Sequence, residues 1–179
     1  DQSLKNLGLK KDFYILFFGT MFYWKGPDIL AEAVNSLKED IKCIYAGNTK
    51  TINFDWRVPN NNKFKIFNKY IPENKMYELF NVADIVVCPY RKTYEYGSSN
   101  VFLQSLLANK PVIAPNLEPF STVINNYKCG ELFESENINS LKYSIKKIID
   151  SGTNKYTKGI KKYFDNQYNW NNIIDTFLE

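Results

Sequence analysis

Histidine is missing altogether from these 179 residues. Its absence removes the commonest transition-metal ligand and every Ser-His or Cys-His nucleophile pair from the chemistry of the chain. Cysteine is scarce too: Cys43, Cys88 and Cys129 are odd in number and widely spaced. Two of them sit in the apolar runs IKCIYA and DIVVCPY, which reads as buried free thiols in a reducing, cytoplasmic setting rather than a disulfide or metal centre. No run of about 18 apolar residues occurs, so no membrane-crossing helix is expected. No basic-then-apolar leader is visible, and the polar start DQSLKNLGL reads as the middle of a longer protein.

What is present is the composition of one globular domain, 44% hydrophobic and large enough for a real core. The net charge of +4 comes from dispersed lysines, with no basic and aromatic patch of the kind nucleic acid needs. It suits a site for an anion or a surface near acidic lipids.

Apolar runs alternate with helical patterns along the chain. The runs DFYILFFG, IKCIYAGN, KFKIFN, DIVVCPY, PVIAP and CGELFES read as six strands, the first two closed by Gly19 and Gly47. Helices are expected over GPDILAEAVNSLKED, with Pro27 in its first turn, over PENKMYELFNVA, opened by Pro72, and from Ser99 to Ala108. PFSTVINNY suggests a helical turn; INSLKYSIKKIID, TNKYTKGIKKYF and NWNNIIDTFLE suggest further helices, and TINFDWRVPNNN a polar loop. Strands apolar on both faces, alternating with helices, predict a doubly wound, Rossmann-like α/β domain over 1–179 with a parallel sheet ordered 3-2-1-4-5-6.

In such a sheet, ligands bind beyond the carboxyl ends of the strands where the order reverses, here between strands one and four. That singles out the loops GTMFYWKG and PYRKTYEYGSSN. A dinucleotide site would need G-x-G-x-x-G after strand one and an acid after strand two, but GTMFYWKG and YAGN stand there. A P-loop and the clustered acids of a phosphate-accepting domain are absent too.

Gly19 allows close approach of backbone to a ligand, and Lys25 is the only charge in its loop, just before a helix start. In the second loop, Gly97-Ser98-Ser99 leaves backbone N–H groups free at a helix mouth, an anion cradle; alternatively Ser98 or Ser99 is simply an N-cap. Gln104 can hydrogen-bond a sugar or ribose hydroxyl or face solvent. Glu95 can act on a substrate hydroxyl or be an exposed loop acid.

At these residues the chain resembles the C-terminal, nucleotide-sugar-binding domain of GT-B fold glycosyltransferases of the retaining family 4, the glycosyl transferases group 1. FFGTMFYWKGPDILAEAV, NKYIPENKMYELFNVADIVVCPY, YEYGSSNVFLQSLLANKPVIAPN and CGELFESENINSLKYSIKKIID match its successive motifs in order, and Trp170 resembles a tryptophan of its last helix. The resemblance implies one half of a GT-B fold that binds a nucleotide diphosphate sugar without metal. The acceptor-binding N-terminal domain is then a partner absent from this chain, and the fragment alone is inactive. It also implies hexose transfer to a glycan or lipid-linked acceptor, in bacterial surface polysaccharide synthesis, at the inner face of the membrane. Lys25 then contacts the diphosphate, with Gly19 and Thr20 on the same wall. Backbone around Tyr70 and Ile71 holds the base, and the N–H groups of Ser98, Ser99 and Asn100 cradle phosphate. Gln104 stands where the family's second glutamate binds ribose, and its first falls on Tyr96, beside the catalytic candidate Glu95. Thr20 replaces a basic residue of the family pattern, with Arg91 or Lys92 as candidates to compensate. The rival expectations are an inert sugar-nucleotide-binding module and a purely structural Rossmann-like domain.

Overall fold

The stretch YILFF is apolar at every position, and a strand that buries both faces can use all of it. In the computed structural model, which describes residues 2–49, 54 and 56–167, it forms β1 (Tyr14–Phe18) at the heart of the sheet. Ile15 and Phe17 enter one core, while Tyr14 and Leu16 enter a second on the opposite face. Around it lie β2 (Lys42–Ala46), β3 (Phe64–Phe67), β4 (Ile85–Val87), β5 (Val112–Pro115) and β6 (Gly130–Phe133), all pairings parallel, in the expected order 3-2-1-4-5-6. Each buried Ile, Leu or Val of these strands contributes about 1.5–3 kcal/mol relative to exposure.

Helix α1 (Gln2–Leu7) packs with α3 (Glu73–Val82) over the second core. Helices α2 (Pro27–Ser36), α5 (Phe120–Tyr127), α6 (Ile138–Ser151) and α7 (Thr157–Gln167) cover the first, and α4 (Asn100–Leu107) gives Phe102 and Leu106 to it. The starts of these helices are legible in their caps. Pro27 occupies the first turn of α2, where its missing N–H costs nothing. Asn137 caps α6 by accepting from the Ser140 N–H at 3.0 Å.

Some elements differ from expectation for local reasons. α1 was not expected from its polar sequence; Leu7 is its one buried residue, and Asn6 ties it to Glu78 at 2.6 Å. PFSTVINNY forms a full helix, because Phe120 and Ile124 find the core. β4 is only three residues long: the chain turns away at Cys88-Pro89, and Pro89 has no N–H for the ladder. Trp170 and the helix expected over 169–179 lie outside the described residues, as do positions 51–53 and 55 of the loop expected over 51–62. Among the described residues no helix is long and apolar enough to cross a membrane.

Candidate functional site

β1 and β4 are neighbours, so the loops that follow them meet beyond their carboxyl ends. Gly19 leaves β1 at φ +102, a conformation that L side chains rarely adopt. Its carbonyl lies against Gly47, where a Cβ would approach to 2.2 Å, so the loops after β1 and β2 touch backbone to backbone. The chain then makes a single 3₁₀ turn, Tyr23–Lys25, before Gly26 at φ +62 starts α2. A Cβ at Gly26 would stand 2.0 Å from the Pro89 carbonyl oxygen, so only glycine lets the two loops press together.

Lys25 folds back over this turn. A Cβ at Gly19 would meet its Nζ at 2.9 Å, and the ammonium lies 5.3 Å from the Trp24 ring centroid. Burial holds its pKa below the ordinary lysine value, while the neighbouring Cys88 pulls slightly upward. No carboxylate pairs with it among the described residues. A half-buried cation without an anion is costly, and it marks a place where a ligand's charge is welcome.

The second loop closes on the same point. Burial pushes the Cys88 thiol up to about 11, while hydrogen bonds from Tyr90 and Ser99 and the charge of Lys25 pull it down. Cys88 is thus the common neighbour of Lys25 and Ser99. Ser99 caps α4: its Oγ accepts from the Phe102 N–H at 3.2 Å and shares a 2.8 Å hydrogen bond with the Tyr90 hydroxyl. Its hydroxyl is therefore used internally, and what the helix mouth offers a ligand is backbone. The N–H groups of Ser98, Ser99, Asn100 and Val101 make no backbone hydrogen bond among the described residues. Ser98 and Asn100 are exposed, and the Ser98 carbonyl accepts from the Tyr94 hydroxyl.

The remaining expected residues are more dispersed. Thr20 is half-buried, and its carbonyl accepts from the Phe22 N–H at 3.0 Å. Tyr70 is 86% exposed on the loop after β3, while Ile71 packs on the second core. Gln104 lines a groove of about 490 Å³ between α3 and α4 with Met76, Tyr77, Phe80 and Leu107, and neither Lys25 nor Ser99 reaches that groove. Glu95 is exposed, and its N–H closes a 3₁₀ turn on the Lys92 carbonyl at 3.0 Å. Tyr96, also exposed, sits at φ 64, a strained conformation for a bulky residue.

The structure corrects the expectation that Arg91 compensates for Thr20. Arg91 is buried and bidentate to Asp28, with Nη2–Oδ2 at 2.6 Å and Nη1–Oδ1 at 3.1 Å. It also donates to the Tyr23 carbonyl and stacks 3.8 Å over the Tyr23 ring. Burial lowers its pKa, but the Asp28 bonds and charge outweigh that and hold it above the ordinary value. Its guanidinium is thus committed to Asp28 and Tyr23 within the protein. Lys92 remains exposed, on the turn Lys92–Tyr94. Sequence reasoning also missed a ladder of near-parallel rings from Phe22 to Trp24 (5.4 Å), Tyr94 (4.9 Å) and Phe120 (6.3 Å), which ties both loops to the core. The available signal was an aromatic in each loop and Asp28 at the start of α2.

Comparison with solved structures agrees on the fold. HepE from Anabaena, in complex with UDP, matches with a TM-score of 0.78 at 18% identity, over 92% of this chain and 47% of its own. The C-terminal domain of LpcC, a glycosyl transferase group 1 family protein from Francisella tularensis, matches at 0.77 and 18% over 93% of this chain and 91% of that domain. Sucrose-phosphate synthase from Thermosynechococcus elongatus matches at 0.75 and 14% over 98% of this chain and 46% of its own. The chain thus spans just under half the length of HepE and of the synthase. No curated protein matches the sequence at a significant level. The family model for glycosyl transferases group 1 covers residues 1–165, and the chain belongs to that family.

Proposed function

We propose that this chain is the donor-binding half of a retaining glycosyltransferase, with Lys25 and the mouth of α4 holding the diphosphate of a nucleotide sugar. The observation that carries the reading is Lys25 itself: a half-buried ammonium, without a carboxylate among the described residues, laid over Gly19 where the strand order reverses. A diphosphate there gains the ammonium charge and the free N–H groups of a helix start together. As the leaving group develops charge, the same groups stabilise it without a metal. HepE is solved with UDP and with UDP-glucose, which supports a nucleotide diphosphate hexose as the donor class.

Gln104 is the residue proposed to bind the ribose, with the loop at Tyr70 and Ile71 next to the base and Gly19 and Thr20 along the phosphate wall. Glu95 is the acid proposed to act at the transferred sugar. The acceptor, a glycan or lipid-linked sugar of a bacterial surface polysaccharide, meets the donor in a cleft completed by a second domain at the inner face of the membrane. Transfer requires that second domain, so the 179 residues alone bind donor without turnover.

The test is thermal unfolding of the chain with UDP, GDP or ADP. A ligand of the native state raises the midpoint, by about 2.7 kcal/mol of stability at a hundredfold excess over Kd. A rise with one nucleotide that disappears in Lys25→Ala supports the reading; no rise with any nucleotide sinks it. A second reading, binding without any catalytic part, is favoured by Gln104 in place of a carboxylate. Donor binding by the two-domain protein with no turnover of any donor that it binds would favour it.

A further inference from the structure

We propose that Arg91 is a positioning residue for Lys25: from the loop after β4 it fixes the turn that presents the ammonium, without touching the ligand. The inference rests on the donor-diphosphate reading of Lys25. Every strong contact of Arg91 in that loop falls on a residue flanking Lys25. Its guanidinium grips Asp28 with two hydrogen bonds, donates to the Tyr23 carbonyl and covers the Tyr23 ring, and its backbone N–H donates to the Trp24 carbonyl at 3.0 Å.

The turn needs this support. Within Tyr23–Lys25 the backbone holds itself by two hydrogen bonds, Lys25 N–H to the Phe22 carbonyl and Gly26 N–H to the Tyr23 carbonyl, both 3.0 Å. A lone 3₁₀ turn of that length is weakly determined by its own bonds. Arg91 supplies a planar fork that matches the Asp28 carboxylate and a flat face that matches Tyr23, a pair of contacts an ammonium cannot make together. Glu136 Oε1 lies 3.4 Å from Nε, yet Nε makes no hydrogen bond. The guanidinium is thus drawn toward Asp28 and Tyr23 rather than shared evenly. Holding the backbone of Lys25 still lowers the ordering that a phosphate must impose when it binds.

The experiment compares UDP with uridine by calorimetric titration of the chain, in wild type, Arg91→Gln, Lys25→Met and the double variant. Arg91→Gln is expected to weaken UDP about tenfold, because the Lys25 turn must then be ordered as the diphosphate binds, and to leave uridine unchanged. In the Lys25→Met background it is expected to change UDP binding no further. Equal losses for UDP and uridine, or losses that add in the double variant, overturn the proposal, since a merely structural role gives those.

A ligand-free measurement separates this from failure of the donor reading. The Lys25 side chain lies beside the Trp24 ring, so the indole displaces its ε-methylene proton signals. In Arg91→Gln those signals are expected to move toward the positions of exposed lysines while core methyl signals stay in place. Asp28→Asn, which breaks the same pair from the other side, gives the same reading where Arg91→Gln unfolds. Unmoved Lys25 signals refute the positioning role. Absence of UDP binding in wild type refutes the donor reading, with the proton signals still reporting whether Arg91 holds Lys25.

Discussion

Beside the edge strand β6, the Glu131 carboxylate meets the Lys147 ammonium at 2.7 Å and the Tyr156 hydroxyl at 2.7 Å. A pocket of about 430 Å³ opens there, yet its one acid already has two partners. At the loops after β1 and β4 the situation is reversed. Arg91 and Asp28 are matched as closely as the β6 cluster, but Lys25, one turn away, is given no carboxylate among the described residues. Whether the charge is answered by a carboxylate from within the protein is what separates the two regions.

The largest effect expected in either region comes from glycine. Gly26→Ala would drive a Cβ to 2.0 Å from the Pro89 oxygen at φ +62, and Gly130→Ala to 1.9 Å from the Val112 oxygen. Each is expected to cost about 3 kcal/mol or more, read as a lower urea midpoint, but only Gly26→Ala is expected to weaken UDP beyond the loss of folded protein. Equal effects on UDP would erase the distinction between the regions.

Next in size is a pair of substitutions with opposite signatures. Tyr156→Phe removes a hydrogen bond from Glu131 and is expected to cost about 1–2 kcal/mol with UDP affinity unchanged. Lys25→Met is expected to weaken UDP at least about tenfold, while ligand-free stability holds or rises, since an unpaired charge leaves a half-buried place. A fall in ligand-free stability would show that Lys25 has an internal partner after all. Smaller still, Ser99→Ala removes the cap of α4 and is expected to cost about 1 kcal/mol, whereas Ser98→Ala is expected to stay within about 0.5 kcal/mol by urea denaturation.

The finest test uses pH. Burial depresses the Lys25 pKa below its ordinary 10.5. Between the folded value and the ordinary one, the unfolded chain binds more protons, so this residue's contribution to stability rises with pH in that window. The stability difference between wild type and Lys25→Met is therefore expected to shrink as pH climbs toward 10.5. UDP affinity is expected to fall over an earlier part of the same climb, as the ammonium discharges.

The sheet was readable from sequence because its evidence is local: β1, β4 and β5 are unbroken apolar runs, β2, β3 and β6 largely apolar ones, and their rhythm with helices leaves one reasonable order. Gly19, Lys25 and the Ser98-Ser99 mouth were readable because topology alone carries them to the reversal point. α1 was not, since its few leucines gain meaning only against α3. Nor was the fate of Arg91: in PYRKTYEYGSSN it reads as one loop cation among others, and what makes it structural is Asp28, 63 residues earlier. The use of the Ser99 hydroxyl inside the protein likewise depends on Tyr90, a partner that no spacing rule singles out.

Trp24, stacked at 4.9 Å and 3° on Tyr94 and 5.3 Å from the Lys25 ammonium, gives the site an optical consequence. Indole emission responds to charge placed near the ring, and an ammonium neutralised by a bound anion is such a change. The chain has three tryptophans, and Trp24 alone stands in the loop that carries Lys25. An anion bound at Lys25 is thus expected to change the protein's own fluorescence, and a Trp24→Phe variant is expected to lose that response while Trp56 and Trp170 keep emitting.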